Sequence, residues 1–230
     1  MGMVQRPLAG IKRKWEEALG KEIPDEDWVR ILEYPQKISR NTRLKYLQFN
    51  YVHQTYLTPS KITAIYGGEV RKCPRCGSIE ADFVHMVWSC PHTGMYWERV
   101  TSKLQQLLHR AVPCTLEACI LGLFSRPKPK KVGNRFIDLA LALAKRQISL
   151  NWKAAHGPQI SKWELDLMRW GKAEEQALRR EETRGIRKNP VASLWAEVMH
   201  SVEFPDSEDS DDTDEDNGTE PPPIGDLDTP

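Results

Sequence analysis

One short segment constrains this chain more than any other. Cys73, Cys76, His85 and Cys90 form the pattern C-x2-C-x8-H-x4-C. A Cys-Pro-Arg-Cys-Gly turn followed by a histidine and a third cysteine is typical of a tetrahedral zinc site. Four protein ligands fill such a shell and leave no position for a reactive water, so the pattern predicts one structural zinc ion. His92 is the alternative fourth ligand.

The spacing of the last two ligands predicts a break in the backbone. Positions i and i+5 of an unbroken α-helix point about 140° apart, so His85 and Cys90 cannot face one ion from a single helix. Pro91 pushes the residue before it toward extended geometry. We therefore expect a helix over residues 82–88 that carries His85 and ends near Ser89, with Cys90 turning back to the metal before a new helix starts at Pro91.

Turn residues and apolar periodicity elsewhere predict helices and no convincing strand. The expected fold is all-α, an irregular helical bundle around a small Cys-Cys-His-Cys zinc knuckle. Outside the knuckle, the expected helices are 15–19, 24–32, one from residue 41 or 42 that ends before Pro59, 59–67, 91–110, 134–153, one capped by Ser161 and Glu164, and 190–201.

The chain divides by composition into four regions. We expect a helical N-terminal region at 1–70, a zinc-binding module at 71–110, C-terminal helices at 111–202 and a disordered acidic tail at 203–230. Within the third region, the proline-rich residues 126–131 predict an exposed linker.

Charge is distributed unevenly between the body and the tail. The tail holds 12 of the 32 Asp and Glu residues and none of the 33 Lys and Arg residues, so residues 1–202 carry 33 cations against 20 anions, a formal charge of +13. A basic body favours polyanionic partners, nucleic acid first. The tethered tail is a polyanion that can compete for that body by intramolecular contact.

Cysteine number and hydropathy favour an intracellular location. The cysteine count is odd, and no segment has the order of features of a signal peptide. The longest apolar run, residues 136–144, contains Asp138 and is too short to span a bilayer. We expect reduced thiols, no membrane contact and a nuclear or cytoplasmic protein that is not secreted.

The segment "CPRCGSIEADFVHMVWSCPHTGMYW", residues 73–97, resembles the zinc-binding region near the C-terminus of reverse transcriptases from LINE-type (non-LTR) retrotransposons. Ligand spacing, Asp82, Trp88, Pro91 and Trp97 carry the resemblance. The flanking pieces "KWEEALG", "KISRNTRLKYLQFNYVHQTYLTPSKI" and "LAKRQISLNWK" extend it over about residues 11–200.

The resemblance implies a function without catalysis. The polymerase of these elements carries an aromatic-Ala-Asp-Asp signature, whereas the paired aspartates here are Asp211 and Asp212 in the tail. The chain is therefore expected to correspond to the post-polymerase region. In the family this region is associated with RNA and DNA binding during target-primed reverse transcription, which implies RNA or single-stranded DNA as the partner.

Basic side chains near the knuckle are the expected phosphate contacts. Those closest to the thiolates can instead neutralise the charge of the metal cluster. The residues are Arg71, Lys72 and Arg75 beside the cluster, Arg99 and Lys103 on the next helix, and Arg40, Arg43 and Lys45 upstream.

Aromatic residues allow two interpretations. Trp88, Tyr96 and Trp97 either stack on bases or form the core of the zinc module. Trp152, Trp163 and Trp170 are expected in the core, as are Cys114 and Cys119. Two other functions stay open for the chain: a protein-interaction module, and a retrotransposon remnant without function.

Overall fold

A computed structural model describes residues 5–124 and 131–183, and in these ranges the protein is all-helical without strands, which confirms the predicted fold class. None of the described helices is both long and apolar enough to cross a membrane. The helices are α1 Gln5–Leu19, α2 Asp25–Lys37, α3 Thr42–Val52, α4 Pro59–Tyr66, α5 Pro91–Leu108, α6 Lys131–Leu150 and α7 Ile160–Thr183, with two π-helical turns, His85–Ser89 and Glu117–Leu121.

Helix boundaries follow local capping chemistry at several of the predicted positions. Gly20, at φ +64°, follows the end of α1. The Asn41 side chain accepts hydrogen bonds from the amides of Arg43 and Leu44 at the start of α3, and Thr58 accepts from Lys61 at the start of α4. These oxygens satisfy amides that have no partner within the helix.

Other boundaries differ from the predictions. Helix α1 begins well before Trp15, α2 continues through Pro35 to Lys37, and α3 already ends at Val52. Burial of Tyr34 and Pro35 against the core offsets the hydrogen bond that a proline removes from α2. Helix α7 starts at Ile160, so Ser161 lies inside its first turn and does not cap it.

Several predicted features lie outside the described residues. They are the linker up to residue 130, the helix at 190–201 and the tail at 203–230.

Helix α6 is the centre of the core. Its side chains from Phe136 to Ala144 are buried except for the half-buried Asp138, and it packs against α3, α5 and α7. The burial of this helix agrees with its apolar composition.

Three buried tryptophans connect the elements around α6. The indole N–H of Trp15 donates to the Val52 carbonyl at 2.8 Å, that of Trp97 to Val87 at 2.8 Å, and that of Trp163 to Ala140 at 2.9 Å. Each ring contributes apolar area while its N–H stays paired. These residues of α1, α5 and α7 belong to one hydrophobic cluster with Phe83 and Phe136.

A fully buried lysine interrupts the apolar surface of α6. Lys145 Nζ donates to the carbonyl of Cys119 at 3.1 Å and lies 5.6 Å from the centre of the Tyr34 ring. Tyr34 in turn donates to Asp138 at 2.8 Å. Burial lowers the pKa of Lys145 to about 7 and raises that of Asp138 to about 6. The ammonium group thus ties the second π-helical turn to α6.

Candidate metal centre

The first two cysteines lie in a tight turn. Cys73 N–H donates to the Ser78 carbonyl at 2.7 Å, and Gly77 N–H donates back to the Cys73 carbonyl at 2.9 Å. Gly77 has φ +75°, a conformation that side chains disfavour. Burial opposes ionisation of the Cys73 thiol, but hydrogen bonds from the amides of Cys76 and Arg75 leave its pKa below the ordinary value.

The histidine and the third cysteine lie at the two ends of the first π-helical turn. Asp82 Oδ1 accepts a 2.7 Å hydrogen bond from the His85 amide before the turn begins. Cys90 N–H then donates to the His85 carbonyl at 2.9 Å, an i to i+5 bond. Cys90 adopts φ −59° and ψ 129°, and α5 starts at Pro91.

This turn corrects the prediction of an α-helix over residues 82–88. The expected break at Cys90 is confirmed, but the wider π-helical turn also contributes to the convergence of the two ligands. Its i to i+5 hydrogen bond holds Cys90 beside the first residue of the turn. Single π-helical turns of this kind often occur at functional sites.

The structure brings the four predicted ligands together. The ligand atoms of Cys73, Cys76, His85 and Cys90 all lie within 4.8 Å of one another. The sulfurs of Cys73 and Cys90 are 4.0 Å apart, and Cys76 Sγ is 3.3 Å from His85 Nε2. Sulfur and nitrogen ligands on one tetrahedral ion are separated by about 3.5–3.8 Å. The group can therefore bind one metal ion, and His92 is not part of it.

The metal site is closed on its inner side and reaches solvent on its outer side. Cys73 and Cys90 are buried, His85 is half-buried and Cys76 is exposed. Burial lowers the pKa of His85, which favours the neutral imidazole that a metal requires. Ala81 and Met86 pack behind the cysteines, and Trp152 covers them from the segment after α6.

Arg75 differs from its predicted role as a surface phosphate contact. The side chain is only 7% exposed. Its guanidinium donates to the Met86 carbonyl at 2.7 Å, Thr93 Oγ1 at 2.9 Å and the Asn151 carbonyl at 3.2 Å. Arg75 therefore connects the cysteine turn with the π-helical turn, α5 and the segment just after α6.

The other predicted phosphate contacts are more accessible. Arg40, Arg43, Arg71, Lys72 and Arg99 are exposed, and Lys45 is half-buried. Lys103, also half-buried, lies 3.1 Å from Glu164 Oε1 in an ion pair between α5 and α7.

Most of the aromatic residues around the metal centre lie in the core. Tyr96 and Trp97 are buried, and Tyr96 donates to the Ala144 carbonyl at 3.3 Å, so these rings cannot stack on bases in this fold. Trp88 is half-buried, with its ring centre 6.1 Å from that of Trp97. Cys119 is buried as predicted, whereas Cys114 is exposed, which corrects its assignment to the core.

A cleft of about 520 Å³ opens beside His85. Its lining mixes two lysines with three carboxylates, so its charge does not favour a polyanion. The charged residues are Lys14, Lys61, Glu17, Glu80 and Asp82.

Two features of the site have little signal in the sequence. The sequence shows Arg75 as a cation between two cysteines, but no pattern in the sequence indicates that its side chain is buried. The π-helical turn is formed by i to i+5 backbone hydrogen bonds, which no side-chain pattern encodes. No protein-family model matches the chain, and no curated protein matches its sequence.

Proposed function

We propose that the chain is a non-catalytic, nucleic-acid-binding accessory module with one structural zinc ion. The observation that carries the proposal is the convergence of three sulfurs and one imidazole nitrogen directly after two exposed cations, Arg71 and Lys72. The metal would hold the backbone that presents these cations. The cations would contact phosphate groups.

Zinc is the metal that this donor set fits best. Thiolates and imidazole favour zinc over the oxygen-seeking calcium and magnesium ions. Four protein ligands complete the tetrahedral shell, so a bound ion has no open position for a substrate. A bound metal would cross-link Cys73 and Cys76 to His85 and Cys90. Its role would be structural, without a part in any reaction.

RNA or single-stranded DNA is the proposed partner. The charge of +13 over residues 1–202 supports a polyanion, and the resemblance to LINE-type reverse transcriptases supports nucleic acid among polyanions. In this proposal the chain corresponds to the post-polymerase region of such an enzyme and acts in the nucleus or cytoplasm.

Salt-dependent binding tests the proposal. The affinity of the zinc-loaded chain for labelled single-stranded RNA and DNA is measured by fluorescence anisotropy over a range of salt concentrations, with Cys73→Ser alongside. We expect binding that weakens steeply with salt and that is lost or strongly reduced in Cys73→Ser. Cys114→Ser is the matched control, because this exposed thiol lies outside the metal group. The proposal would be overturned if the zinc-loaded chain bound neither RNA nor single-stranded DNA.

Exposed apolar side chains in and near the knuckle favour a second candidate function, a protein-interaction module. Exposed apolar residues around a site of recognition are typical of protein interfaces. The residues are Ile65, Tyr66, Val70 and Ile79, all more than half exposed. This function would become the leading one if the zinc-loaded chain bound no nucleic acid.

A further inference from the structure

The outer face of α3 carries aromatic rings that the core does not use. Tyr46 is 65% exposed and Phe49 is 43% exposed. Of the three residues that the sequence offered as base-stacking groups, Tyr96 and Trp97 are buried and Trp88 is half-buried. Base stacking requires a ring face that reaches solvent, and α3 carries such rings.

The inner face of α3 holds the helix firmly in the fold. Leu44, Gln48 and Tyr51 are buried. Gln48 Nε2 donates to the Ile120 carbonyl at 2.9 Å, and Tyr51 donates to the Lys145 carbonyl at 2.9 Å. The outer face is thus presented on a rigid support, which reduces the entropy lost on binding a ligand.

The outer rings have a fixed arrangement. Tyr46, Phe49 and His53 follow the spacing i, i+3, i+7 and lie on one side of the helix. The Phe49 and His53 rings stack with centres 3.9 Å apart and planes 23° from parallel. His53 Nδ1 lies 2.9 Å from the Phe49 carbonyl, which orients the imidazole. Tyr46 and the Phe49–His53 stack are thus aromatic groups on the same side of α3.

Charge around this face favours nucleic acid over an apolar protein partner. Residues 34–68 contain five Lys or Arg residues and no Asp or Glu, and of the five, Lys37 is paired with Glu33 and Lys61 donates to the Tyr56 carbonyl. On α3 itself Arg43 is exposed and Lys45 is half-buried, and both flank the rings. Exposed rings between cations match a polymer that alternates π-faced bases with phosphates.

We propose that the outer face of α3, formed by Arg43, Lys45, Tyr46, Phe49 and His53, binds single-stranded nucleic acid by stacking bases on its rings. Arg43 and Lys45 contact the phosphates beside the stacked bases. The inference rests on the proposed function and assigns it a second contact surface, separate from Arg71 and Lys72.

The test compares affinities for oligo-dT and oligo-U by fluorescence anisotropy. Stacking of one base on an aromatic ring changes the affinity by about 5- to 150-fold. We therefore expect the double variant Tyr46→Ala with Phe49→Ala to bind about 5- to 150-fold more weakly. Tyr46→Phe keeps the ring and is expected to bind as the unchanged protein does. Arg43→Ala with Lys45→Ala is expected to make the slope of log affinity against log salt shallower by about 0.7 per charge removed, whereas the ring variants leave it unchanged.

Tyr66→Ala is the matched control, since this tyrosine is 75% exposed on α4, outside the proposed surface. Both α3 rings lie at the surface, so the zinc content and melting temperature of every variant should match those of the unchanged protein. If the unchanged protein binds and the double ring variant binds equally well, the α3 inference alone is wrong. An equal loss in Tyr66→Ala also overturns it. If the unchanged protein binds neither oligonucleotide, the proposed function fails as well, and a protein partner would explain the exposed rings.

Discussion

Residues 71–81 and the helices around α6 are stabilised by different interactions. In residues 71–81 only Cys73, Arg75 and Ala81 are buried, whereas Phe83 and Val87, farther along the knuckle, belong to the core cluster of the body. The body buries an extended cluster that includes Trp15, Phe136 and Trp163. A segment with so little apolar area needs a metal to fold, whereas a helix surrounded by three others does not.

Arg75 and Trp152 join these two regions. Arg75 donates from the cysteine turn to the Asn151 carbonyl, just after α6. Trp152 packs on the knuckle cluster, lies 4.7 Å from Tyr56 between ring centres, and donates to the Leu57 carbonyl at 2.9 Å. The two regions therefore differ in what stabilises them but share a boundary of fixed geometry.

The largest expected effect is that of metal removal. Chelation or Cys73→Ser should unfold residues 71–81, because structural zinc supplies about 10–16 kcal/mol in small zinc modules. Trypsin should then cut rapidly at Arg71, Lys72 and Arg75, while far-UV circular dichroism keeps most of the helical signal. Unchanged resistance of this segment after metal removal would show that the knuckle folds on its own contacts.

A substitution in the core should destabilise the body and leave metal binding intact. Trp163→Ala removes a buried ring and its hydrogen bond to the Ala140 carbonyl, so we expect a loss of about 3–5 kcal/mol in the free energy of unfolding. Urea denaturation measures this loss, and the folded variant should still bind metal. Val29→Ala, at an exposed position of α2, should change stability by less than about 0.5 kcal/mol. If Trp163→Ala lost metal binding at a urea concentration that leaves its helices folded, the distinction between the regions would be contradicted.

The boundary between the regions can be tested at Arg75. Arg75→Ala leaves the carbonyls of Met86 and Asn151 without their donor and should cost about 1.5–3 kcal/mol. Arg75→Lys keeps the charge but cannot reach three acceptors at once, so it should recover only part of the loss. Arg71→Ala, a neighbouring exposed cation, is the control. The melting temperatures of the three variants are measured with metal bound. If Arg75→Ala melted at the same temperature as Arg71→Ala, the hydrogen bonds of Arg75 would contribute nothing to stability.

A pH dependence of stability should arise in the body. The pKa of Lys145 is about 7 in the folded protein and about 10.4 in an unfolded chain. At pH values between these two pKa values the unfolded chain binds more protons than the folded protein. The free energy of unfolding should therefore increase by up to about 1.4 kcal/mol per pH unit as the pH is raised through this range, and decrease as the pH is lowered toward 7. The groups facing Lys145 are Tyr34, Asp138 and Cys119.

Replacement of the lysine isolates that dependence. Lys145→Met should lack the rise in stability between pH 7 and 10, whereas Lys162→Met, at an exposed position of α7, should keep it. Urea denaturation at several pH values measures the difference between the two variants. Parallel curves for both variants would place the dependence on other groups.

The metal ligands could be predicted because their chemistry depends on residue type and spacing. Cys73, Cys76, His85 and Cys90 are identifiable in the printed sequence, and Pro91 correctly indicated where the backbone turns. The π-helical turn could not be predicted, since it is defined by backbone hydrogen bonds such as that from Cys90 to His85 and not by residue type.

Burial of polar and aromatic side chains was harder to predict than the helices. Leu44, Leu47 and Tyr51, at the spacing i, i+3, i+7, lie on the inner side of α3, and the same helical geometry turns Tyr46 and Phe49 outward. Whether a ring faces the core or solvent depends on which helices pack together, and this is a tertiary property. Lys145 is an extreme case, because a lysine is rarely buried unless its ammonium group finds acceptors from a distant segment, here at Cys119.

Cobalt substitution tests the central claim, a closed four-ligand metal centre, most directly. The chain is loaded with one equivalent of Co²⁺, and its visible absorption is recorded beside that of Cys73→Ser and His92→Ala. We predict the intense bands of a tetrahedral ion with thiolate ligands, lost or strongly altered in Cys73→Ser and unchanged in His92→Ala. The weak spectrum of a six-coordinate ion with bound water would contradict the closed shell, and so would a spectrum that depends on His92.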